Sequence, residues 1–509
     1  MSAAPHPLQQ ALSDAGNALR KGNAQHALAI LQKARTQAPR DLHVLNLLGT
    51  ALAILGRHGE ALAVFDAALA LAPDKAALHL NRGHMLEEVG RLADADAALA
   101  EAIRLEPRNA DALARLAGLS VRRGDYAAAR DSAARALAVA PVPAASLALA
   151  RADIEAGAFE AALAGVEPLL KNSHNTPVNR SIAWGLKGDA LDALERPVEA
   201  FAAYAAAREI LRVHFTPMFE AAGAETAAAR ARRLIAYFEG AAPQAWRAAA
   251  PAPVPDTPLH VFLVGFPRSG TTLLEQILAS HPDVETLEET DCLPSVAEDF
   301  VGRPGGLDRL AALPPAALDE ARAAYWKRAA ELGATRRRRV FIDKLPLNTL
   351  HLCVVAKLFP QAKVLFALRD PRDVVLSCFR RRLAMTPHMF EFSTLERAAS
   401  YYDLVMRLAA AYRAKLALPI LESRHEALIG DFEGETRRLC EFLGLEWNAD
   451  LRGFAGLART RDIKTPSGPQ ILRGLSQGGA GQWRRYAAQL APVLPKLSPW
   501  VRRFGYTDA

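Results

Sequence analysis

Cysteine is scarce in this chain. There are four in 509 residues, at 292, 353, 378 and 440, and no two form a CxxC pair. That spacing excludes a disulfide framework and a zinc ribbon, and suits a reducing compartment. No apolar run is long enough to span a bilayer, and Met1-Ser-Ala-Ala-Pro-His-Pro7 lacks the basic-then-apolar pattern of a secretory leader. A cytoplasmic protein is the expectation, with neither a membrane nor a nucleic acid as partner. The length allows two to four domains. A net charge of +7 and a pI near 9.3 suit an anionic ligand or an acidic partner.

The first half repeats every 34 residues. Prolines fall at 39, 73, 107 and 141, alanines at 27, 61, 95 and 129, and again at 34, 68, 102 and 136. Gly49 and Gly83 share one position, and Leu31, Phe65 and Leu99 another. Small residues where two antiparallel helices touch, with proline ending the second, resemble the tetratricopeptide repeat. A fifth unit at about 142–175 keeps Gly157 and Glu160-Ala161. A sixth at about 181–214 has Trp184, Gly188, Ala200, Tyr204 and Ala207 in place. Residues 215–240 read as a capping helix. Such an array offers a concave surface for a protein or peptide; Arg82, His84 and Arg115 are candidates to line it, or plain solvated residues. Residues 8–240 are therefore expected as an all-α solenoid. The Ala/Pro stretch 241–257 reads as a semi-rigid linker, and 258–509 as one α/β domain.

That domain opens with an apolar, β-branched run, Val261–Val264, which breaks into Gly265-Phe-Pro-Arg268-Ser269-Gly270-Thr271-Thr272 and resumes at helical spacing with Leu273, Leu274, Ile277 and Leu278. Strand, glycine loop and helix make a phosphate cradle, because the loop amides and the helix N-terminus both favour an anion. The interval Gly265 to Gly270 is that of a P-loop, but the lysine that would follow is absent and Arg268 sits inside the loop instead. Further strands end in Asp343-Lys344 and in Arg369-Asp370. Open α/β sheets bind ligands at the C-terminal ends of their strands, so three charged strand ends point to one site. Helices are expected over 307–334, 349–358, 394–416, 433–445 and near the C-terminus.

Pro267-Arg-Ser-Gly-Thr-Thr272, followed by Arg369-Asp-Pro-Arg372 and Ser377, resembles the sulfotransferase superfamily, whose donor is 3′-phosphoadenosine 5′-phosphosulfate (PAPS). Leu287-Glu-Glu289-Thr290, the Asp343-Lys344-Leu-Pro346 turn and Thr465-Pro-Ser467…Trp483 are similar to tyrosylprotein sulfotransferases and their bacterial tetratricopeptide-linked relatives. The resemblance covers about 258–508. It implies a P-loop-like fold with a parallel sheet. It assigns Arg268, Ser269, Gly270, Thr271 and Thr272 to the 5′-phosphosulfate, and Arg369, Ser377 and Arg381 to the 3′-phosphate. Glu289 falls at the catalytic base, Lys344 and Ser467 on the sulfuryl group, and Gln470–Ser476 in a loop over the donor. Three positions depart from the family pattern: Asp291 sits where the animal enzymes carry basic character, Gln482 sits just before Trp483 where relatives often have a basic residue, and His425 stands where the animal enzymes have an aromatic near the adenine.

Chemistry independent of the resemblance is compatible with it. Sulfuryl transfer, like phosphoryl transfer, is an in-line displacement that asks mainly for positioning and charge neutralisation. Arg268, Lys344 and loop amides supply that without a metal. A carboxylate such as Glu289 suits a phenol, whose pKa is near 10. Glu288 and His281 are the neighbours to be distinguished from it. The expected function is transfer to a tyrosine of a protein recruited by the repeats. The alternatives are transfer to a small molecule or glycan, and a non-catalytic adaptor with a degenerate nucleotide module. An ATP-dependent kinase is disfavoured by Thr271 in place of the P-loop lysine. Repeat arrays often dimerise, which leaves a homodimer open.

Overall fold

The computed structural model describes residues 7–246, 258–381, 384–458, 474–475 and 479–507. The chain divides into two compact units, Met1–Leu194 and Glu195–Ala509.

In the first unit the described elements are helices in successive pairs. Their second members begin at Ala24, His58, Leu92 and Tyr126, which restates the sequence period in three dimensions. Pro39, Pro73, Pro107 and Pro141 each stand two residues beyond the helix ends at Gln37, Leu71, Leu105 and Val139, where a missing amide does no harm. The small positions are required by contact. A Cβ on Gly49 would lie 2.6 Å from the Phe65 ring, and one on Gly83 would lie 2.9 Å from Cγ of Leu99. The glycine column and the large apolar column of the repeat are thus two sides of one packing joint. Of the arginines and histidines considered for the concave surface, Arg82 binds Asp66 at 2.6 Å, His84 faces Glu88 at 3.4 Å and Arg115 faces Glu87 at 3.5 Å.

The second unit begins inside the sixth repeat, with the helix Pro197–Phe219, and continues with Ala227–Gly240. The start of the Ala/Pro stretch is packed rather than free. Pro243–Trp246 is a helical turn whose Trp246 is buried, 4.7 Å from the Phe238 ring. Residues 247–257 lie outside the described residues.

Five parallel strands follow: β1 (Leu259–Gly265), β2 (Val284–Glu288), β3 (Val340–Lys344), β4 (Lys363–Leu368) and β5 (Ile420–Arg424). They are ordered β2-β3-β1-β4-β5. β1 is central and buried from His260 onward, as its continuous apolar run requires. Strand order reverses across β1 and β4, so the loops after those two strands flank a crevice at the C-terminal edge of the sheet. β5 lies at an edge. Its Glu422 and Arg424 break the apolar pattern, which is why the sequence gives no clear sign of it. The helix Cys292–Val301 was likewise not foreseen, whereas Leu395–Lys415 and Phe432–Leu443 fall within a residue or two of expectation.

Candidate active site

The glycine loop sits at the end of β1. Gly265 is fixed by a backbone amide donating to Thr349 Oγ1 at 3.1 Å, and a Cβ there would lie 2.6 Å from the Ala367 carbonyl of β4. Arg268 has φ of 73° and Gly270 φ of 94°, a left-handed turn that starts the helix Thr271–Ala279. Left-handed backbone at a non-glycine residue is uncommon and strained, so the surrounding fold holds Arg268 in place. Ser269, Thr271 and Thr272 are buried around the turn. A Cβ on Gly270 would meet Nδ1 of His425 at 2.8 Å.

Arg268 does not stay within its own loop. Its Nε donates to Ser377 Oγ at 3.0 Å, on the helix Pro371–Arg380 that follows β4. Arg369 Nη1 donates to the Arg268 carbonyl at 3.5 Å, and Nη2 donates to the Gly479 carbonyl. Burial lowers the Arg268 pKa to about 10, with the charges of Arg381 and Arg369 adding to the effect. His425 is pushed down to about 3 by burial, then by Arg369 and Arg268, and its Nδ1 is buried with no hydrogen-bond partner among the described residues. The Arg369 Nε is likewise buried with no partner among the described residues. The loop therefore adjoins a crowded, electropositive cluster of side chains.

The second cluster surrounds Lys344 at the end of β3. This lysine is fully buried, with Nζ 2.9 Å from Glu289 Oε1, 3.2 Å from Glu275 Oε2 and 3.4 Å from Glu288 Oε1. Burial opposes its charge, but Glu275, Glu289 and Glu288 outweigh it and hold the ammonium above its ordinary range. Glu289 follows β2, has φ of 44°, and donates its backbone amide to the Lys344 carbonyl at 2.7 Å. Its side chain is about a third exposed, against about a seventh for Glu288. Glu275 is raised to about 7 by burial, against the pull of Lys344. Preceding Lys344 on β3, Asp343 is raised to about 7 by burial and accepts from the Tyr325 hydroxyl at 2.8 Å.

Of the residues singled out in the sequence, the geometry joins Arg268, Ser377, Arg369 and Arg381 in one cluster and Glu289 with Lys344 in another. The loop residues Ser269 to Thr272 open the helix that carries Glu275 to Lys344. Ser467 and most of Gln470–Ser476 lie outside the described residues. His281 is engaged in its turn, with Nε2 at 2.9 Å from the Glu446 carbonyl and Nδ1 accepting from the Asp283 amide. Trp483 is anchored: Asp373 accepts from the backbone amides of Gly481 and Trp483 at 2.6 and 2.8 Å, and Arg372 lies 3.8 Å over its ring. Among the described residues no group of three or more His, Cys, Asp or Glu side chains is placed to hold a metal ion.

Sequence reading missed Glu275, Asp373 and Thr349. Glu275 had a signal, the one charge on a helix whose apolar residues Leu273, Leu274, Ile277 and Leu278 surround it. Thr349 and Asp373 had none.

Residues 258–449 match the model described as sulfotransferase family, and residues 15–76 and 80–146 match tetratricopeptide repeats. An uncharacterized protein of Aquifex aeolicus (strain VF5) is 29% identical over 253 residues, 48% of this chain and 33% of that one. Protein-tyrosine sulfotransferase 1 of Danio rerio is 26% identical over 261 residues, 48% of this chain and 72% of that one. Omega-hydroxy-beta-dihydromenaquinone-9 sulfotransferase Stf3 of Mycobacterium tuberculosis (strain CDC 1551 / Oshkosh) is 34% identical over 116 residues, 22% of this chain and 30% of that one. The match thus spans a third of the Aquifex protein's length. The chain carries tetratricopeptide repeats followed by a domain of the sulfotransferase family, similar over about half of its length to protein-tyrosine sulfotransferases.

Proposed function

We propose that the second unit transfers a sulfuryl group from PAPS to an acceptor hydroxyl. The observation that carries this reading is the convergence of Arg268, Arg369, Arg381 and His425 beside the glycine loop. Burial together with their like charges depresses Arg268 and His425, an arrangement that an anion relieves. A donor with phosphates at both ends of one ribose suits a cluster built from two elements, the glycine loop and the helix Pro371–Arg380. Ser269 to Thr272 and the loop amides serve the 5′-phosphosulfate; Arg369, Ser377 and Arg381 serve the 3′-phosphate.

The acceptor oxygen forms its bond to sulfur as the bond from sulfur to the 5′-phosphate oxygen breaks, and the acceptor proton passes to Glu289 Oε1. Lys344 and Arg268 meet the charge on the sulfuryl oxygens and the leaving phosphate, with Ser467 assisting. Lys344 starts on Glu289 at 2.9 Å, so the base and the cation begin side by side. When Lys344 turns toward the sulfuryl oxygens, Glu275 stays behind it as counter-ion.

The acceptor is a tyrosine of a protein or peptide held by the repeats. Support comes from the likeness to protein-tyrosine sulfotransferases and from a carboxylate base suited to a phenol. A small-molecule hydroxyl is the second reading, favoured by the likeness to the menaquinone-type sulfotransferase. Four free, buried cysteines suit a reducing compartment such as the cytoplasm.

Calorimetric titration of adenosine 3′,5′-bisphosphate tests the donor. Wild type is expected to bind without added metal, and Arg369→Ala to bind about a hundredfold more weakly, the scale of lost charge-assisted hydrogen bonds. No binding by folded wild type sinks the reading. With labelled donor, label entering a tyrosine peptide rather than a hydroxyalkyl lipid separates the two acceptors.

A further inference from the structure

The helix Pro197–Phe219 buries one arginine against the donor side of the catalytic unit. Arg208 is 4% exposed. Its Nε donates to the Phe379 carbonyl at 2.6 Å, and Nη2 donates to the Cys378 carbonyl at 2.6 Å and to the Arg381 carbonyl. These three oxygens lie at the C-terminal end of the helix Pro371–Arg380, where backbone carbonyls have no partner within the helix and the helix dipole is negative. A planar guanidinium presents its donors in a fixed fork, which suits three carbonyls held at set positions.

The same helix face adds apolar grip. Phe201 packs 5.2 Å from the Phe379 ring, and Arg380 lies 5.1 Å from the Tyr204 ring centroid. Phe201, Tyr204 and Arg208 recur at helical spacing, so they form one stripe. What that stripe holds is the last turn of the helix bearing Ser377, and Arg381 directly after it. Burial lowers the Arg208 pKa to about 10, which still leaves it charged near neutrality.

We infer that Arg208 is a positioning residue for the 3′-phosphate end of the donor site, acting through the placement of Ser377 and Arg381. This rests on the donor reading above. A helix that the sequence period assigns to the sixth repeat would then tune recognition of the nucleotide rather than contact an acceptor.

The test uses the full-length protein and two nucleotides, adenosine 3′,5′-bisphosphate and adenosine 5′-monophosphate, which lacks the 3′-phosphate. Arg208→Met is expected to lower bisphosphate affinity about tenfold or more and monophosphate affinity by less than about twofold. Arg208→Lys keeps volume and charge but not the fork, and serves if the methionine variant does not fold; it is expected to show the same loss of discrimination to a smaller degree. Arg212→Met, on the same helix but exposed and paired with Glu209, should change neither affinity. A parallel fall for both nucleotides, or no change in either, overturns the inference. A wild type that binds both nucleotides equally would instead overturn the donor reading itself.

Discussion

Arg268 and Ser377 stand 109 residues apart in sequence and meet at 3.0 Å, Nε donating to Oγ. The bond ties the loop after β1 to the helix after β4, across the point where strand order reverses. Ser377→Ala removes the acceptor and leaves the guanidinium to find another direction. Bisphosphate affinity should drop about five- to tenfold, the effect of one hydrogen bond, while Ser377→Thr keeps most of it. Calorimetry of both variants checks this; equal losses would mean that the hydroxyl is not what matters.

Glu289 and Glu288 both face Lys344, but Glu289 is the more exposed and the closer. Glu289→Gln should slow turnover by about two to four orders of magnitude, as loss of a general base does, with bisphosphate affinity little changed. Glu288→Gln should retain most activity. The reverse pattern in a sulfuryl-transfer assay would move the base to Glu288.

Asp343 gives a pH-dependent stability with a definite sign. Its folded-state pKa is raised by burial from 3.8 to about 7, so between those values the folded chain holds a proton that the unfolded chain has released. That contribution is full below about pH 4 and is lost as pH rises through 7, amounting to roughly 4 kcal/mol for a shift of about three units. Asp343→Asn stays neutral and still accepts from Tyr325. Denaturant unfolding should show the variant gaining on wild type between pH 5 and pH 8; a constant difference contradicts the buried, protonated acid.

Gly270→Ala meets two obstacles, φ of 94° and His425 Nδ1 at 2.8 Å from the new carbon. The substitution should cost about 1–3 kcal/mol and weaken nucleotide binding. Adding His425→Ala removes the clash but not the backbone strain, so the double variant should recover part of the loss. Full recovery would assign the whole effect to His425.

The repeat period, the glycine loop and the charged strand ends were legible because each rests on local pattern. A 34-residue register needs only small and large residues in columns, as the Gly49–Phe65 joint explains. β1 reads from its apolar run, whereas β5 does not, because an edge strand carries Glu422 and Arg424. Glu289 and Lys344 were legible through the resemblance, but the third carboxylate on that lysine was not. Glu275 reaches it only once β3 and the helix Thr271–Ala279 are packed together. Arg208 was illegible for the same reason. Its partners are backbone carbonyls about 170 residues away, and a backbone carbonyl leaves no trace in a sequence.

The clamp of Arg208 also bears on where this protein can be cut or recombined. By composition, the seam between the two halves is the proline-rich stretch before β1. A fragment starting there would leave Arg208 behind and strand the Cys378, Phe379 and Arg381 carbonyls in a buried place. It would also lose Phe238 and Trp246. Any exchange of the sheet-bearing half between chains must therefore carry along the helix that begins at Pro197. The compact unit starts some sixty residues before the one that composition marks out.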